Sequence, residues 1–277
     1  MAKTGTEALQ GSPQEREAKA LATLKSPQAS RKDKMDACKD LARIGGPASI
    51  PVLAALLPDE QLSHMARYAL EPNPNPAVDA ALREALGKVK GNLLAGVIGS
   101  LGVRRDAPSV DALARLLKDP DRVVAEAAAR ALGSIGTPAA AKAIESALPA
   151  VPEKSLVAFC EGLLRAAEAL AAAGKKEEAL AIYDRLRALA KAPRHVRTAG
   201  LRGAILLRGD AGIPLLVQGL RSGEIGLVQA ALRAAMELPG AAAGRALAAE
   251  AAKLPPDLQA LLNQALAERE LQRGAGK

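Results

Sequence analysis

The stretch that decides the fold is DPDRVVAEAAARALGSIG, residues 119–136. From Val124 to Ile135 its apolar side chains recur every three or four positions, which is the spacing of one face of an α-helix. Asp121 stands where an N-cap residue belongs, and Gly136 stands where a C′ glycine ends a helix. The sequence therefore predicts an α-helix between these two residues.

Residues 106–118, immediately before it, predict a partner helix. Asp106 is placed to cap that helix, and Pro108 is tolerated in a first turn. The segment 118–121 then breaks the pattern, so the two helices form an antiparallel pair. Similar turns recur along the chain and indicate a repeat of roughly 30–36 residues. The predicted pairs span residues 13–46, 47–74, 75–105, 106–136, 137–174, 175–209, 210–240 and 241–271.

Each predicted pair is apolar on more than one face, so neighbouring pairs have to stack. The expected fold is all-α, a right-handed α-α superhelix of about eight antiparallel helix pairs. We expect one solenoid over residues 13–271, with frayed or disordered ends at residues 1–12 and 272–277. Residues 71–76 alternate with proline and predict a stiff, extended connection.

The composition supports this fold. The 277 residues include 63 Ala and 42 Leu, both strong helix formers, and no Trp. Sheets favour β-branched and aromatic residues, so a β-sandwich or β-barrel is excluded. Small Ala side chains let helices stack closely, while Leu fills the remaining volume.

The pattern from Asp121 through Val124, Ala128 and Leu132 to Gly136 resembles the second helix of the HEAT repeat, in the short form of phycobilisome-lyase-type proteins. The middle of the chain instead resembles a tetratricopeptide-type pair, which leaves a hybrid solenoid open. The residues that carry this second resemblance are Ala167, Leu170, Gly174, Glu178, Ala179, Leu180 and Tyr183. Similar HEAT modules occur in large bacterial proteins. The resemblance implies a scaffold role and no reaction.

Catalytic motifs are scarce. The chain has two histidines, His64 and His195, and they fall in different predicted repeats. The HEAT-type deoxyhypusine hydroxylases need several His-Glu dipeptides, and this sequence has none. The HEAT-type alkylpurine DNA glycosylases hold a base against Trp and Tyr, and Trp is absent here. No cofactor or metal site is predicted, and we expect the protein not to be an enzyme.

The basic residues are concentrated in the C-terminal third. The net charge is +8, and residues 175–277 carry sixteen basic and ten acidic groups. Between Arg185 and Arg208 there are seven basic residues and no acid. Arg predominates over Lys, which suits bidentate recognition of carboxylate or phosphate. The residues of this run predicted to contact a partner are Arg187, Lys191, Arg194, Arg197 and Arg208.

A second candidate surface lies on one predicted helix, where polar residues recur at i, i+3, i+4 and i+7. These residues are His64, Arg67, Tyr68 and Glu71. Arg104 and Arg105 follow the next predicted pair and are expected to approach them. The alternative is that His64 and Tyr68 pack half-buried while Arg67 pairs locally with Glu71.

The sequence thus predicts a non-enzymatic interaction scaffold that binds an acidic or extended protein segment along its concave face. Two alternatives stay open: a nucleic-acid-binding solenoid and a bilin-lyase-like chaperone subunit. A third interpretation of the basic run is an Arg-rich exterior that keeps an Ala-rich surface solvated.

Two further expectations concern the thiols and the compartment. Cys38 and Cys160 lie about four repeats apart, too far for a disulfide, so both are predicted to be free. The sequence has no signal-peptide pattern and no long apolar run. It therefore predicts a cytoplasmic protein, or an exported one if a native leader was removed.

Overall fold

The computed structural model describes residues 11–275, with side chains described as far as Arg269. Every regular element in that part of the chain is helical, so the all-α prediction is confirmed. Of the predicted frayed ends, residues 1–10 and 276–277 lie outside the described residues, whereas residues 272–275 belong to the last helix. The chain separates into two compact units, Met1–Ile135 and Gly136–Lys277. The single solenoid over residues 13–271 stays a prediction.

Unit 1 consists of four antiparallel helix pairs. Its helices are α1 (Pro13–Lys25), α2 (Arg31–Ile44), α3 (Ser49–Ala54), α4 (Ser63–Leu70), α5 (Ala77–Ala85), α6 (Gly91–Val103), α7 (Val110–Leu116) and α8 (Arg122–Ile135). The even-numbered helices pack side by side in one layer, and α1, α3 and α5 pack in a second layer behind them. This two-layer stacking is the arrangement that the repeat pattern predicts.

Unit 2 repeats the same plan with four more pairs. Its helices are α9 (Pro138–Ala147), α10 (Glu153–Ala172), α11 (Lys176–Ala188), α12 (Arg194–Arg208), α13 (Ile213–Leu220), α14 (Ile225–Glu237), α15 (Ala242–Ala251) and α16 (Pro256–Ala275). Helices α10, α12, α14 and α16 lie side by side, each packed against the preceding odd-numbered helix. Within both units, the observed pairs follow the predicted repeats.

The ends of the helix in the stretch 119–136 lie at the predicted residues. The Asp121 carboxylate accepts a hydrogen bond from the backbone N–H of Val123 at 2.9 Å, so Asp121 is the N-cap of α8. Gly136 adopts a φ of 66°, the left-handed conformation of a C′ glycine. Thr137 caps α9 through Ala140, with Pro138 in the first turn.

The predicted cap at Asp106 is wrong. Asp106 forms no side-chain cap, and a 3₁₀ turn, Ala107–Ser109, precedes α7. Its carboxylate is buried and is drawn to Arg83 of α5 instead. The local sequence offered a good N-cap, but a charged partner 23 residues earlier binds the carboxylate more strongly than a backbone N–H does.

Small residues let neighbouring helices approach closely. A methyl group built on Gly102 of α6 would lie 2.8 Å from the Cα of Ala131 in α8, so only glycine fits at this crossing. In unit 2, a methyl group on Gly200 of α12 would lie 2.9 Å from the backbone nitrogen of Arg187 in α11. The surplus of small side chains therefore has the structural role that the composition predicts.

The two cysteines are buried and unpaired, so the prediction of free thiols is confirmed. Burial raises the pKa of the Cys38 thiol to about 11. Burial, together with the nearby Glu161 carboxylate, does the same for Cys160. Both thiols stay protonated near neutral pH, which makes them poor nucleophiles and poor metal ligands. Among the described residues, no helix is long and apolar enough to cross a membrane.

Candidate functional site

The polar stripe predicted on α4 splits into two faces. Arg67 and Glu71 turn towards α6, where Arg67 donates to the Gly96 carbonyl at 3.3 Å and Glu71 accepts from Ser100 Oγ at 2.7 Å. Desolvation lowers the pKa of Arg67, against the opposing effect of Glu71. His64 and Tyr68 face solvent, and half of the Tyr68 side chain is exposed. His64 and Tyr68 are therefore the more exposed pair, and the predicted contact of Arg67 with a partner stays a prediction.

Arg104 is bound within unit 1 rather than presented to solvent. Its guanidinium forms a bidentate ion pair with Asp79 and donates to the carbonyls of Glu71 and Asn73 at 2.9 and 2.6 Å. Only 10% of the side chain is exposed. Arg104 therefore ties the C-terminal end of α4 to α5 and α6. Its predicted contact with a partner is not tested by these bonds and stays a prediction.

Arg105 differs sharply from its neighbour. It is exposed, and its φ of 52° is left-handed, a conformation that non-glycine residues adopt at a cost. Its N–H bonds the Gly102 carbonyl, and the Asp106 N–H bonds the Leu101 carbonyl, which closes α6 with a Schellman motif. Arg105 thus occupies a position where glycine is the usual residue.

Most of the basic run in unit 2 forms internal ion pairs. Asp184, one residue before the run, pairs with both Arg187 and Arg208. Burial pushes the pKa of Asp184 up, but hydrogen bonds from these two arginines outweigh it and hold that pKa below its usual value. Arg197 forms a bidentate pair with Glu224 at 2.9 and 3.1 Å. The guanidinium groups of these three arginines already bind carboxylates within unit 2. Their predicted contacts with a partner stay predictions.

Two of the predicted contact residues in the basic run of unit 2 form no such ion pair. Lys191 and Arg194 are exposed and form no ion pair with another described residue. Arg194 opens α12, and its guanidinium lies over Gly226 of α14. A methyl group on that glycine would come within 2.8 Å of the Arg194 Cζ. The absent side chain at Gly226 therefore provides the space in which Arg194 lies.

Arg194 lines an open groove between α12 and α14, which we call the α12–α14 cleft. Its volume is about 850 Å³. Three arginines and one glutamate line it, which leaves a surplus of two positive charges, and His195 lies beside them. The charged and polar residues of the lining are Arg194, His195, Thr198, Arg202, Gln229, Arg233 and Glu237.

Two ion pairs join the helices that form the cleft. Arg197 of α12 bonds Glu224, the residue before α14, and this bond lowers the pKa of that carboxyl. Arg202 of α12 forms a bidentate pair with Glu237 at the last turn of α14. The cleft is therefore held at both ends of α14. Between them, the exposed Arg233 forms no ion pair with a described residue, so its charge is available.

Sequence reasoning missed the contribution of α14 to this cleft. Gln229, Arg233 and Glu237 recur at i, i+4 and i+8, so they share one face of α14. That spacing was the signal that could have found them. This signal is weak, since residues 185–208 carry a dense run of basic residues and α14 contributes a single arginine.

The side chains of the described residues include candidates for binding, chiefly the arginines of the cleft. The described residues include no group of three His, Cys, Asp or Glu side chains placed to hold a metal ion. His64 lies in unit 1 and His195 in unit 2, and each is exposed. What the cleft offers is a fixed, cationic surface with planar guanidinium groups, suited to carboxylates.

Comparison with known proteins identifies the repeat. Residues 67–156 match the family described as HEAT repeats. The match covers less than half of the chain. It begins at Arg67 and runs through Arg104 and the stretch 119–136, so the resemblance seen in the sequence is confirmed for these residues. No curated protein sequence matches the chain.

Several solved structures are similar to the whole chain at low sequence identity. Human deoxyhypusine hydroxylase is 19% identical over 93% of this chain and 96% of its own, with a TM-score of 0.42. The complex of CpcE and CpcF of phycocyanin lyase from Nostoc is 19% identical, over 97% of this chain and 99% of that one, with a TM-score of 0.38. An engineered protein is 20% identical over 92% and 88%, with a TM-score of 0.32.

Proposed function

We propose that this HEAT-repeat scaffold is a non-enzymatic protein that binds an acidic, extended protein segment in the α12–α14 cleft. The observation that carries the proposal is the cleft itself, an open groove with three arginines and one carboxylate. Arg194 and Arg233 are exposed and form no ion pair with a described residue, although Arg194 also acts at longer range on the Glu224 carboxylate and helps to lower its pKa.

The choice of an acidic segment follows from charge and side-chain geometry. A groove with surplus positive charge attracts a negative partner and raises the rate of encounter. Guanidinium groups bind carboxylates in a planar, bidentate manner, as Arg197 and Arg202 already do within unit 2. A partner carboxylate would meet Arg194 and Arg233 in the same way.

A protein partner fits the lining better than nucleic acid does. Proteins that bind single-stranded nucleic acid stack bases on aromatic side chains, and the residues that line the cleft include none. Gln229 can donate to and accept from a peptide backbone instead, and the Thr198 hydroxyl, which donates to the His195 carbonyl, can accept. The bilin-lyase alternative draws no support from the residues of the cleft.

The test measures binding of a fluorescein-labelled peptide of alternating Glu and Ser by fluorescence anisotropy. Arg194→Glu and Arg233→Glu, each alone, should weaken binding about threefold to tenfold, because each replaces attraction with repulsion. Arg245→Glu is the matched control, since Arg245 is exposed in unit 2 but does not line the cleft. It should leave binding nearly unchanged.

A salt titration and a DNA-binding measurement give the results that would reject the proposal. Binding should be present at about 50 mM salt and fall steeply by about 300 mM, because exposed charges are screened. Equal weakening by Arg245→Glu, or binding that salt leaves unchanged, would reject the cleft as the site. A labelled DNA duplex that binds tightly at about 50 mM salt, with no binding of the peptide, would replace this proposal with the nucleic-acid one.

A further inference from the structure

A second depression in unit 2 lies one short turn away from the cleft. Its volume is about 530 Å³, and its floor is apolar, formed by Leu148, Val151, Leu156 and Leu189. We call it the Leu189 pocket. Leu148 and Leu156 are buried, whereas Val151 and Leu189 are half-buried. An apolar recess of this kind gains free energy when an apolar side chain displaces its water.

The rim of the Leu189 pocket is mostly cationic. Lys191 is exposed without an ion pair among the described residues, and Arg185 pairs with Glu145 at 3.1 Å while half of its side chain stays in solvent. Glu153 is the one acid of the lining. An apolar floor beside basic groups matches a segment that carries an apolar side chain next to acids.

The turn between α11 and α12 connects the two depressions. Lys191 lines the Leu189 pocket, and Arg194, three residues later, lines the α12–α14 cleft. Three residues span at most about 11 Å, the reach of two or three residues of an extended peptide. The Ala192 N–H bonds the Leu189 carbonyl at 2.9 Å, and the Val196 N–H bonds the Pro193 carbonyl at 3.0 Å, so the turn holds a fixed spacing.

We infer that the segment bound in the cleft continues over this turn and places one large apolar side chain, such as Leu or Phe, in the Leu189 pocket. The inference rests on the proposed function and makes it more specific. The partner motif is then bipartite, an acidic run with an apolar anchor about two to four residues from its end. Burial of such an anchor should tighten binding about tenfold or more.

The experiment compares three fluorescein-labelled peptides by anisotropy. One is the alternating Glu and Ser peptide, and the other two carry Leu-Phe after a short Gly spacer at the N-terminal or the C-terminal end. One of the two extended peptides should bind about tenfold tighter than the acidic peptide. Leu189→Ser should remove that gain while leaving the acidic peptide within about twofold of its original affinity.

A second variant keeps the test decisive if Leu189→Ser fails to fold. Val151→Ser alters the other half-buried floor residue, lies outside any helix and should remove the same gain. Lys142→Glu is the charge control, since Lys142 is exposed in α9 and lines neither depression.

The outcomes separate the two proposals. If the acidic peptide binds but neither extended peptide binds tighter, the anchor is rejected and the proposed function stands. A gain that survives both Leu189→Ser and Val151→Ser also rejects the pocket. If no peptide binds, both proposals fail together.

Discussion

The guanidinium of Arg194 lies on the backbone of Gly226, within the space that any larger residue would fill. Gly226→Ala should therefore displace Arg194 within the cleft. The fold should tolerate the change, because the atoms in the way belong to the end of a flexible side chain and Ala is a better helix residue than Gly. We expect unchanged or slightly raised stability in urea, by up to about 1 kcal/mol, together with weaker binding of the acidic peptide.

Gly96→Ala is the matched control, because Arg67 lies on Gly96 in unit 1 in the same way. It should displace Arg67 and leave peptide binding unchanged. If Gly226→Ala and Gly96→Ala change peptide binding to the same extent, the position of Arg194 does not determine binding in the cleft.

Substitution by Ala should change the free energy of unfolding in opposite directions at Gly102 and at Gly99 of α6. A methyl group on Gly102 would overlap the backbone of α8 at Ala131, so Gly102→Ala should destabilise unit 1 by about 1–3 kcal/mol. A methyl group on Gly99 would meet nothing within 4 Å, so Gly99→Ala should stabilise by about 0.5–1 kcal/mol. Urea unfolding measures both, and equal effects would contradict the observed packing of α6 on α8.

Arg104 should be intolerant of even a conservative change. Lys cannot hold Asp79 in a bidentate pair and bond the carbonyls of Glu71 and Asn73 at once. Arg104→Lys should therefore lower the free energy of unfolding by about 2 kcal/mol, since buried polar partners lose their donors. Arg105→Lys, one residue later and exposed, is the control and should be nearly neutral. If Arg104→Lys leaves the free energy of unfolding unchanged, the bonds of Arg104 contribute little to stability.

Arg105 is held in a backbone conformation that favours glycine. Arg105→Gly should raise the thermal midpoint, with a gain of about 0.5–1 kcal/mol after the greater flexibility of the unfolded chain is counted. Arg105→Ala keeps the left-handed strain and should change little. If Ala and Gly stabilise equally, the effect comes from the lost charge and not from the backbone.

Glu250 should make unit 2 sensitive to acid. Its carboxylate accepts two bonds from Arg221, at 2.7 and 2.8 Å, and one from Lys253, at 3.0 Å. These bonds lower the pKa of Glu250 from 4.5 to about 2. A carboxyl whose folded pKa is depressed stabilises the fold above its unfolded pKa, and this contribution is lost as the pH falls from about 4.5 towards 2.

Titration of the Glu250 carboxyl carbon by NMR would measure this pKa directly. Arg221→Gln should raise it, because the largest cause of the shift is removed. The thermal midpoint of Glu250→Gln should fall less between pH 5 and pH 3 than that of the native sequence. A Glu250 that titrates near 4.5 in both proteins would contradict the ion pairs.

The repeat architecture was readable from the sequence because its signals are local. The caps at Asp121 and Thr137, the terminal Gly136 and the helical spacing between them all act within a few residues. The same reasoning failed at Asp106, where Arg83 of the preceding repeat captures the carboxylate. Signals confined to one turn predict well, whereas contacts between repeats override them.

The candidate site was only partly readable for the same reason. Arg197 and Arg202 form ion pairs with carboxylates that lie 27 and 35 residues later in the chain. Arg208 pairs with Asp184, which lies just before the stretch without acids. Residues 185–208 therefore carry less free positive charge than their seven basic residues alone suggest. Lys191 and Arg194 stay unpaired, while Arg233 emerges only when α14 is placed beside α12.

The proposed binding of an acidic segment between α12 and α14 can be located by photo-crosslinking. A diazirine-bearing peptide of alternating Glu and Ser is linked to the protein, and mass spectrometry identifies the linked residues. We expect links concentrated on the cleft-lining faces of α12 and α14, lost on Arg194→Glu and retained on Arg245→Glu. Links spread evenly over the chain, or concentrated on the exposed His64 and Tyr68 of α4, would contradict the proposed binding.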